Sequence, residues 1–336
     1  MHIGFFGLNG WEDKIIKENF PQDEVFLSQD KINETNLPKK NDFEILSVFV
    51  DSTMSKKVLS HFPNLKFITT RSTGFDHIEL KAAKSKNIAV SYVPGYGDNT
   101  VAEFAFGLIL SLVRKIYQSI DQIKERGTFD LKNLRGMDIK DKTIGIIGTG
   151  RIGREMIKIA KGFSMNIIAY DPYPNENFAK EIGFAYFSFE DVLRKSDIIS
   201  LHCSYTPKTH HIINKDNIHL IKRGAYLINT ARGALVETEA LVSALQKNML
   251  AGAGLDVLEE EGEIKDELDL LVNHHPKAEE LKVMLYDHIL MEMPNVLITP
   301  HNAFNSQEAL ERILDTTIEN IKGFKSGSLV NLIPGK

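Results

Sequence analysis

A single cysteine, Cys203, stands in 336 residues, which excludes an intramolecular disulfide framework and fits a reducing compartment. There is no basic block either: 40 lysines and arginines are scattered among 45 acids, for a net charge of −5. With a pI near 6.1, the chain gives no electrostatic reason to expect nucleic acid or an anionic membrane as a partner. Long apolar runs are also missing. The longest, "FAFGLILSLV" at 104–113, is about half of what a membrane span needs. The start, "MHIGFFGLNGWEDK", has no basic stretch ahead of its few apolar residues, so no signal peptide is expected. Low-complexity tracts and internal repeats are absent. What remains is the composition of an ordinary globular protein, 43% hydrophobic and 25% charged, expected in the cytoplasm as an enzyme or binding protein. Its length predicts about two domains of roughly 150 residues each.

The chain alternates short β-branched strands with helical patterns, the rhythm of parallel α/β layers. "HIGFFG", "EILSVFV", "LKFITT" and "IAVSYV" read as strands of a first domain, with helices in "DSTMSKKVLSHF" and "IELKAAKSKN". Residues 99–116, "NTVAEFAFGLILSLVRKI", form a helix apolar almost all round, to be buried between domains or against a second subunit. After a polar connector the pattern restarts with "TIGIIG", "NIIAY", "DIISLHC", "AYLINT", "GAGLDV" and "NVLITP". The amphipathic helix in "SQEALERILDTTIENIKGF" has no strand partner of its own and is expected to return to the first region. The predicted fold is therefore two Rossmann-like or flavodoxin-like α/β domains with parallel sheets, the second doubly wound, and a deep cleft between them. Their expected extents are 1–98 plus 301–336, and 99–300.

"TIGIIGTGRIGREM" places Gly148, Gly150 and Gly153 as GxGxxG directly after a strand and before a helix. In that context the first glycine makes the tight turn, the second admits a pyrophosphate, and the third lets helix and strand pack closely. The helix amino end attracts the phosphate charge. The next strand ends in Asp171, whose carboxylate suits ribose hydroxyls and repels a 2′-phosphate, with no arginine following. NAD(H) is expected over NADP(H).

Three further strands end in polar residues of complementary type. Arg232 in "NTARG" offers a planar fork of donors suited to a carboxylate, a surface ion pair being the plainer alternative. Asp256 ends "GAGLD", and His301 follows "NVLITP". Ligands of open α/β sheets sit at the carboxyl ends of strands, so these residues converge on one crevice. A carboxylate beside an imidazole favours the protonated form, which can protonate a carbonyl oxygen as hydride reaches its carbon. The pairs His210–His211 and His274–His275 lack zinc-site spacing, so no metal is expected. Cys203 at a strand end reads as a small apolar residue rather than a nucleophile.

With "TRSTGFDHIEL", "VPGYGDNTVAEFAFGLIL", "GIIGTGRIGREM", "DIISLHC", "YLINTARGALVETEAL", "GLDVLEEE" and "TPHNAF" in that order, the chain resembles the D-isomer-specific 2-hydroxyacid dehydrogenases over most of its length. Among them it is most similar to the D-lactate dehydrogenases, through Tyr96 and the aromatic Phe304 after the histidine. The resemblance implies that Arg232 binds the substrate carboxylate and polarises its keto group, and that His301 is the acid/base. Glu261, five residues after Asp256, would be its supporting glutamate. Thr73 and Gly74 would offer amides and Tyr96 a hydroxyl to the substrate, with Phe304 also on the substrate side. On the cofactor side it implies Arg151 and Ile152 beside pyrophosphate and Asp171 at ribose. His202 and Cys203 would stand near adenosine with Ser204 at the adenine rim, Thr209 would also contact the cofactor, Thr230 and Ala231 would line the nicotinamide, and Asp256 would hold its carboxamide.

Two departures stand out: Ser204 and Gly262 occupy positions where the family commonly has proline, and the second weakens the placement of Glu261. The implied function is reversible, NADH-dependent reduction of a small 2-keto acid, pyruvate first, by a homodimer formed through helix 99–116. Glyoxylate, hydroxypyruvate or a bulkier 2-keto acid remain open as substrates. So does an NAD-sensing, corepressor-like binding protein on the same fold.

Overall fold

The computed structural model describes residues 1–259 and 278–333. Glu261, Gly262 and the pair His274–His275 lie outside the described residues. The chain divides into two compact units, Met1–Tyr96 with Ser306–Lys336, and Gly97–Asn305. The seams fall after Tyr96 and Asn305 instead of after 98 and 300, so His301 stays with the second unit.

In the first unit, β1 (His2–Phe5), β2 (Glu24–Leu27), β3 (Ile45–Val48), β4 (Phe67–Thr70) and β5 (Ala89–Ser91) form one parallel sheet in the order β2-β1-β3-β4-β5. β3 and β4 are buried at every position, as strands covered on both faces must be. Helices α1 (Asp13–Asn19), α2 (Lys56–His61) and α3 (Leu80–Ser85) connect them. β2 and α1 escape the sequence reading, because four and seven residues carry too little periodicity.

The terminal helix, Gln307–Ser326, does return to this unit. Ser306 caps it by accepting from the Ala309 amide at 3.2 Å, and Gly327 ends it at φ +78. Its Leu314, Ile318 and Ile321 pack on Ile3, Phe5, Ile45 and Phe67. Phe324 stacks on Phe67 with centroids 4.6 Å apart. Each such buried aliphatic side chain contributes about 1.5–3 kcal/mol.

The second unit opens with α4 (Asp98–Val113) and α5 (Ile116–Lys124). Lys115 between them adopts φ +57, which breaks the single helix expected over 99–116. There follow β6 (Thr143–Ile147), α6 (Arg151–Gly162), β7 (Asn166–Tyr170), α7 (Glu176–Ile182), β8 (Ala185–Tyr186), α8 (Phe189–Lys195) and β9 (Ile198–Leu201). β10 (Ala225–Asn229), α9 (Thr238–Gln246), β11 (Leu250–Leu255), α10 (Ala278–Glu292) and β12 (Val296–Ile298) complete it.

The seven strands run parallel in the order β12-β11-β10-β9-β6-β7-β8, the doubly wound arrangement. α4 and α6 cover one face through Ala105, Ile109, Met156 and Ile157. Residues of α8 and α9, among them Leu193, Leu241 and Leu245, cover the other. The apolar side chains of α4 are thus largely consumed inside its own unit. The exposed ones belong instead to α5 and the connector after it: Ile120 is 47% exposed, Phe129 92% and Leu131 87%.

Candidate active site

In this sheet the strand order reverses between β6 and β9, the position beyond whose strand ends open α/β sheets bind their ligands. The glycine loop sits there, and its three glycines answer three different demands. Gly148 has φ +95, and a Cβ on it would come within 2.6 Å of the Cys203 backbone nitrogen, so loop and β9 touch backbone to backbone. A Cβ on Gly153 would stand 2.0 Å from the Gly148 carbonyl oxygen, so α6 starts hard against the turn. A Cβ on Gly150 would meet nothing within 4 Å. The open space lies where a phosphate approaching the first turn of α6 would need it.

Asp171, just past β7, turns its carboxylate toward this loop. Oδ2 accepts from the Thr149 amide at 2.7 Å and the Thr149 hydroxyl at 3.1 Å, and Oδ1 accepts from the Tyr173 amide at 2.9 Å. Arg151 opens α6 with its Nε 2.7 Å from Asp98 Oδ2, and Ile152 packs partly into the core.

Past β9, the His202 imidazole lies 2.8 Å from the Ser200 hydroxyl, and burial pushes it down to about 3, so it stays neutral. Burial pushes the Cys203 thiol up to about 11, so it is no thiolate nucleophile. Thr209 closes the following turn on the Ser204 carbonyl at 2.8 Å. His210 and His211 stack on each other at 3.8 Å, and His211 pairs with Glu259.

After β10 the chain makes the turn that carries Arg232. The buried Asn229 shapes it: its amide group donates to the Arg232 carbonyl at 2.8 Å, and its Oδ1 accepts from the Ala231 amide at 3.1 Å. The turn then passes directly over the Leu258–Glu259 peptide, since a Cβ on Gly233 would lie 1.9 Å from the Leu258 oxygen. Glu259 secures the far end, accepting from the Thr238 hydroxyl at 2.7 Å and the Thr238 amide at 3.2 Å. Within this tightly held turn, the Thr230 hydroxyl is buried with no hydrogen-bond partner among the described residues. Burying such a group unpaired costs about 1–3 kcal/mol, so a bound polar ligand is its natural complement. Together with the space at Gly150, it fits the amide and phosphate groups of a nicotinamide dinucleotide.

His301 leaves β12 after Pro300, which has no N–H to extend the ladder. It adopts φ +52, a strained conformation for a non-glycine residue. The carboxylate of Asp256 holds it there. Oδ1 accepts from the Thr299 hydroxyl and, at 2.8 Å, from the Asn302 amide, while Oδ2 accepts from the Ala303 amide at 2.8 Å. The His301 amide itself donates to the Asp256 carbonyl at 2.9 Å. Burial raises the Asp256 pKa, while these hydrogen bonds and the His301 charge oppose it. Three of the roughly four acceptor positions of a carboxylate are thereby committed to the loop.

β10, β11 and β12 are neighbours, so Arg232, Asp256 and His301 follow three adjacent strand ends. Asp256 and His301 also line one end of a cavity of about 1530 Å³ walled by α4, α5 and residues 291–300. That volume exceeds the roughly 300–1,000 Å³ of small-molecule pockets, and only its Asp256–His301 end coincides with these residues.

In the first unit, the loop after β4 is built on the buried Arg71. Its guanidinium donates to the carbonyls of Phe6 and Gly7, each at 2.7 Å, and to the Ser47 hydroxyl at 3.0 Å. Burial lowers its pKa to about 10. The Thr73 hydroxyl donates to the Val93 carbonyl at 2.8 Å and the Ser72 hydroxyl to the Gly74 carbonyl at 2.6 Å. The Tyr96 carbonyl accepts from Arg312 at 2.6 Å. Phe304 falls in the second unit, half-buried, three residues past His301.

Residues 106–303 match the family described as D-isomer specific 2-hydroxyacid dehydrogenase, NAD binding domain. The chain belongs to the D-isomer-specific 2-hydroxyacid dehydrogenases. A 2-hydroxyacid dehydrogenase homolog of Zymomonas mobilis is 37% identical to it over 97% of this chain and 98% of that one. The D-lactate dehydrogenase of Escherichia coli is 34% identical over 88% of each. The crystal structure of the Aquifex aeolicus D-lactate dehydrogenase complexed with NAD and lactic acid shares 35% identity, covers 99% of both chains and superposes with a TM-score of 0.87.

As a 2-hydroxyacid dehydrogenase the chain is an oxidoreductase that uses NAD, and its second unit contains the NAD-binding domain. Several residues that shape the Arg232 turn are invisible to strand-end reasoning. Asn229, Gly233, His211 and Glu259 hold the Arg232 turn without facing a ligand motif. Gly233 alone left a signal, as the glycine directly after the arginine.

Proposed function

We propose that this dehydrogenase reversibly reduces a small 2-keto acid, pyruvate foremost, to the D-2-hydroxy acid. The observation that carries the reading is the succession of Arg232, Asp256 and His301 at three adjacent strand ends of the sheet whose β6 leads into the glycine loop. The Arg232 guanidinium, a rigid fork of donors, binds the substrate carboxylate and draws charge toward the neighbouring keto oxygen. His301 donates its proton to that oxygen in reduction and takes it back in oxidation. NADH, when bound, supplies the hydride that reaches the keto carbon. Asp256 holds His301 in place, and Thr73, Gly74, Tyr96 and Phe304 keep in this reading the substrate-side roles that their positions in the sequence imply. Glu261 keeps its supporting role in this reading through its position in the sequence alone. Pyruvate is favoured because D-lactate dehydrogenases are among the relatives.

A panel of 2-keto acids of increasing size, assayed by loss of NADH absorbance, tests this. Pyruvate should give the highest kcat/KM, with each added methylene changing it by about 10–200-fold at most. A bulkier acid outranking pyruvate removes the substrate assignment, and failure of every 2-keto acid removes the reaction.

The same reading includes a homodimer, placed on α5 and the segment after it rather than on α4. Ile116, Ile120, Ile123, Phe129 and Leu131 are all exposed there, a grouping that a monomer rarely leaves in water. Light scattering should give twice the chain mass for the wild type and a single chain mass for Ile120→Glu/Phe129→Ser. A wild type of single mass sinks the dimer.

A further inference from the structure

Between the glycine loop and the far edge of the sheet runs a chain of hydrogen bonds whose direction is fully determined. The Asp171 carboxylate can only accept, so the Thr149 hydroxyl, 3.1 Å from Oδ2, must spend its one hydrogen there. The contact of 2.9 Å between the Thr149 and Tyr186 hydroxyls can then only be donated by the tyrosine. The Tyr186 oxygen in turn accepts from the Asn175 amide at 3.2 Å. Asn175 is itself pinned, since its Oδ1 caps α7 by accepting from the Phe178 amide at 3.0 Å.

The order is therefore Asn175 N–H to Tyr186 O–H to Thr149 O–H to Asp171. Chains aligned this way polarise one another and strengthen each bond by about 10–30%. Thr149 is almost fully buried, so no water replaces the tyrosine at its oxygen. Tyr186 lies on β8, the edge strand, in register with Ala169 of β7, and its ring meets Phe184 edge-on.

We propose that Tyr186 is a positioning residue for cofactor selection. Through Thr149 it fixes the rotamer of the Asp171 carboxylate, so that NADH is held and a 2′-phosphate is refused. The inference rests on the reading that Asp171 meets the adenosine ribose. Removing the tyrosine oxygen strips the Thr149 hydroxyl of its incoming hydrogen bond, so the bond it donates to Asp171 is weaker and less firmly aimed.

Fluorescence titration of the whole protein with NADH and NADPH, without any 2-keto acid, tests it. Tyr186→Phe should raise the Kd for NADH about three- to tenfold, the worth of one ordinary hydrogen bond, and narrow the preference over NADPH by a similar factor. kcat at saturating NADH should not change. Thr149→Val should have a comparable effect, and the double variant should be no worse than Thr149→Val alone, because the two act in series. Asp171→Asn separates the two levels of the claim. If it weakens NADH while Tyr186→Phe does not, the hydrogen-bond chain is irrelevant to selection. If Asp171→Asn leaves NADH unaffected, the ribose reading fails and the chain with it. Equal weakening of NADH and NADPH by Tyr186→Phe, with a lower thermal midpoint, marks mere loosening of the edge and also overturns the proposal.

Discussion

His301→Ala should lower kcat for 2-keto acid reduction by about 10²–10⁴-fold, the usual worth of a positioned general acid, while Kd for NADH stays within a factor of a few. The split follows from how the loop is held. Its anchors are the Asp256 carboxylate on Thr299, Asn302 and Ala303, and the residue 301 amide on the Asp256 carbonyl. None of these uses the imidazole, so alanine removes the proton donor and leaves its frame standing. The left-handed φ of +52 costs alanine somewhat more than histidine, but the cost is small beside the anchoring hydrogen bonds, so the fold should survive with a modest loss of stability. Rates equal to wild type in a steady-state NADH assay would end the acid/base role. A rate loss matched by an equal loss of NADH binding would show a collapsed loop instead.

Gly153→Ala should unfold the cofactor site from within, whereas Gly150→Ala should spare the fold and weaken the cofactor alone. The contrast rests on one methyl group in two surroundings. At Gly153 the new carbon lands 2.0 Å from the Gly148 carbonyl oxygen, a backbone atom that cannot rotate aside, so α6 must shift away from β6. Overpacking of this kind costs about 1–3 kcal/mol, and about 2–4 °C of thermal midpoint for each kcal/mol in a unit of this size. The displaced helix amino end should also weaken NADH by more than about tenfold, since its amides no longer point at the phosphate. At Gly150 the methyl meets no atom of the described residues within 4 Å, so the midpoint should hold while NADH affinity falls. A scanning-calorimetry midpoint for Gly153→Ala equal to wild type, or unchanged NADH affinity in Gly150→Ala, would contradict this division of labour.

Much of the architecture is legible in the sequence, for a local reason. Buried parallel strands such as "TIGII" and "ILSV" announce themselves as continuous apolar runs, and the glycines at 148, 150 and 153 follow from what a phosphate turn demands of the backbone. Elements with little local pattern escaped: the four-residue β2, the seven-residue α1 and the two-residue β8. The break at Lys115 was hidden because lysine in a left-handed conformation has no signature in composition. The burial of α4 was read correctly from its all-round apolarity, but what covers it is α6 and the sheet of its own unit.

What the sequence determined by itself was therefore the rhythm of strands and helices, the cofactor loop, and the polar residues that end β10, β11 and β12. Each depends on neighbours within a few positions, where periodicity and backbone stereochemistry act. Tertiary structure alone decided which of those residues support others. Asp256 anchors the loop of His301 from 45 positions away in sequence, and Glu259 and His211 clamp a turn that belongs to Arg232. Such bonds join groups whose separation along the chain carries no pattern, and only the parallel register of adjacent strands brings them within reach.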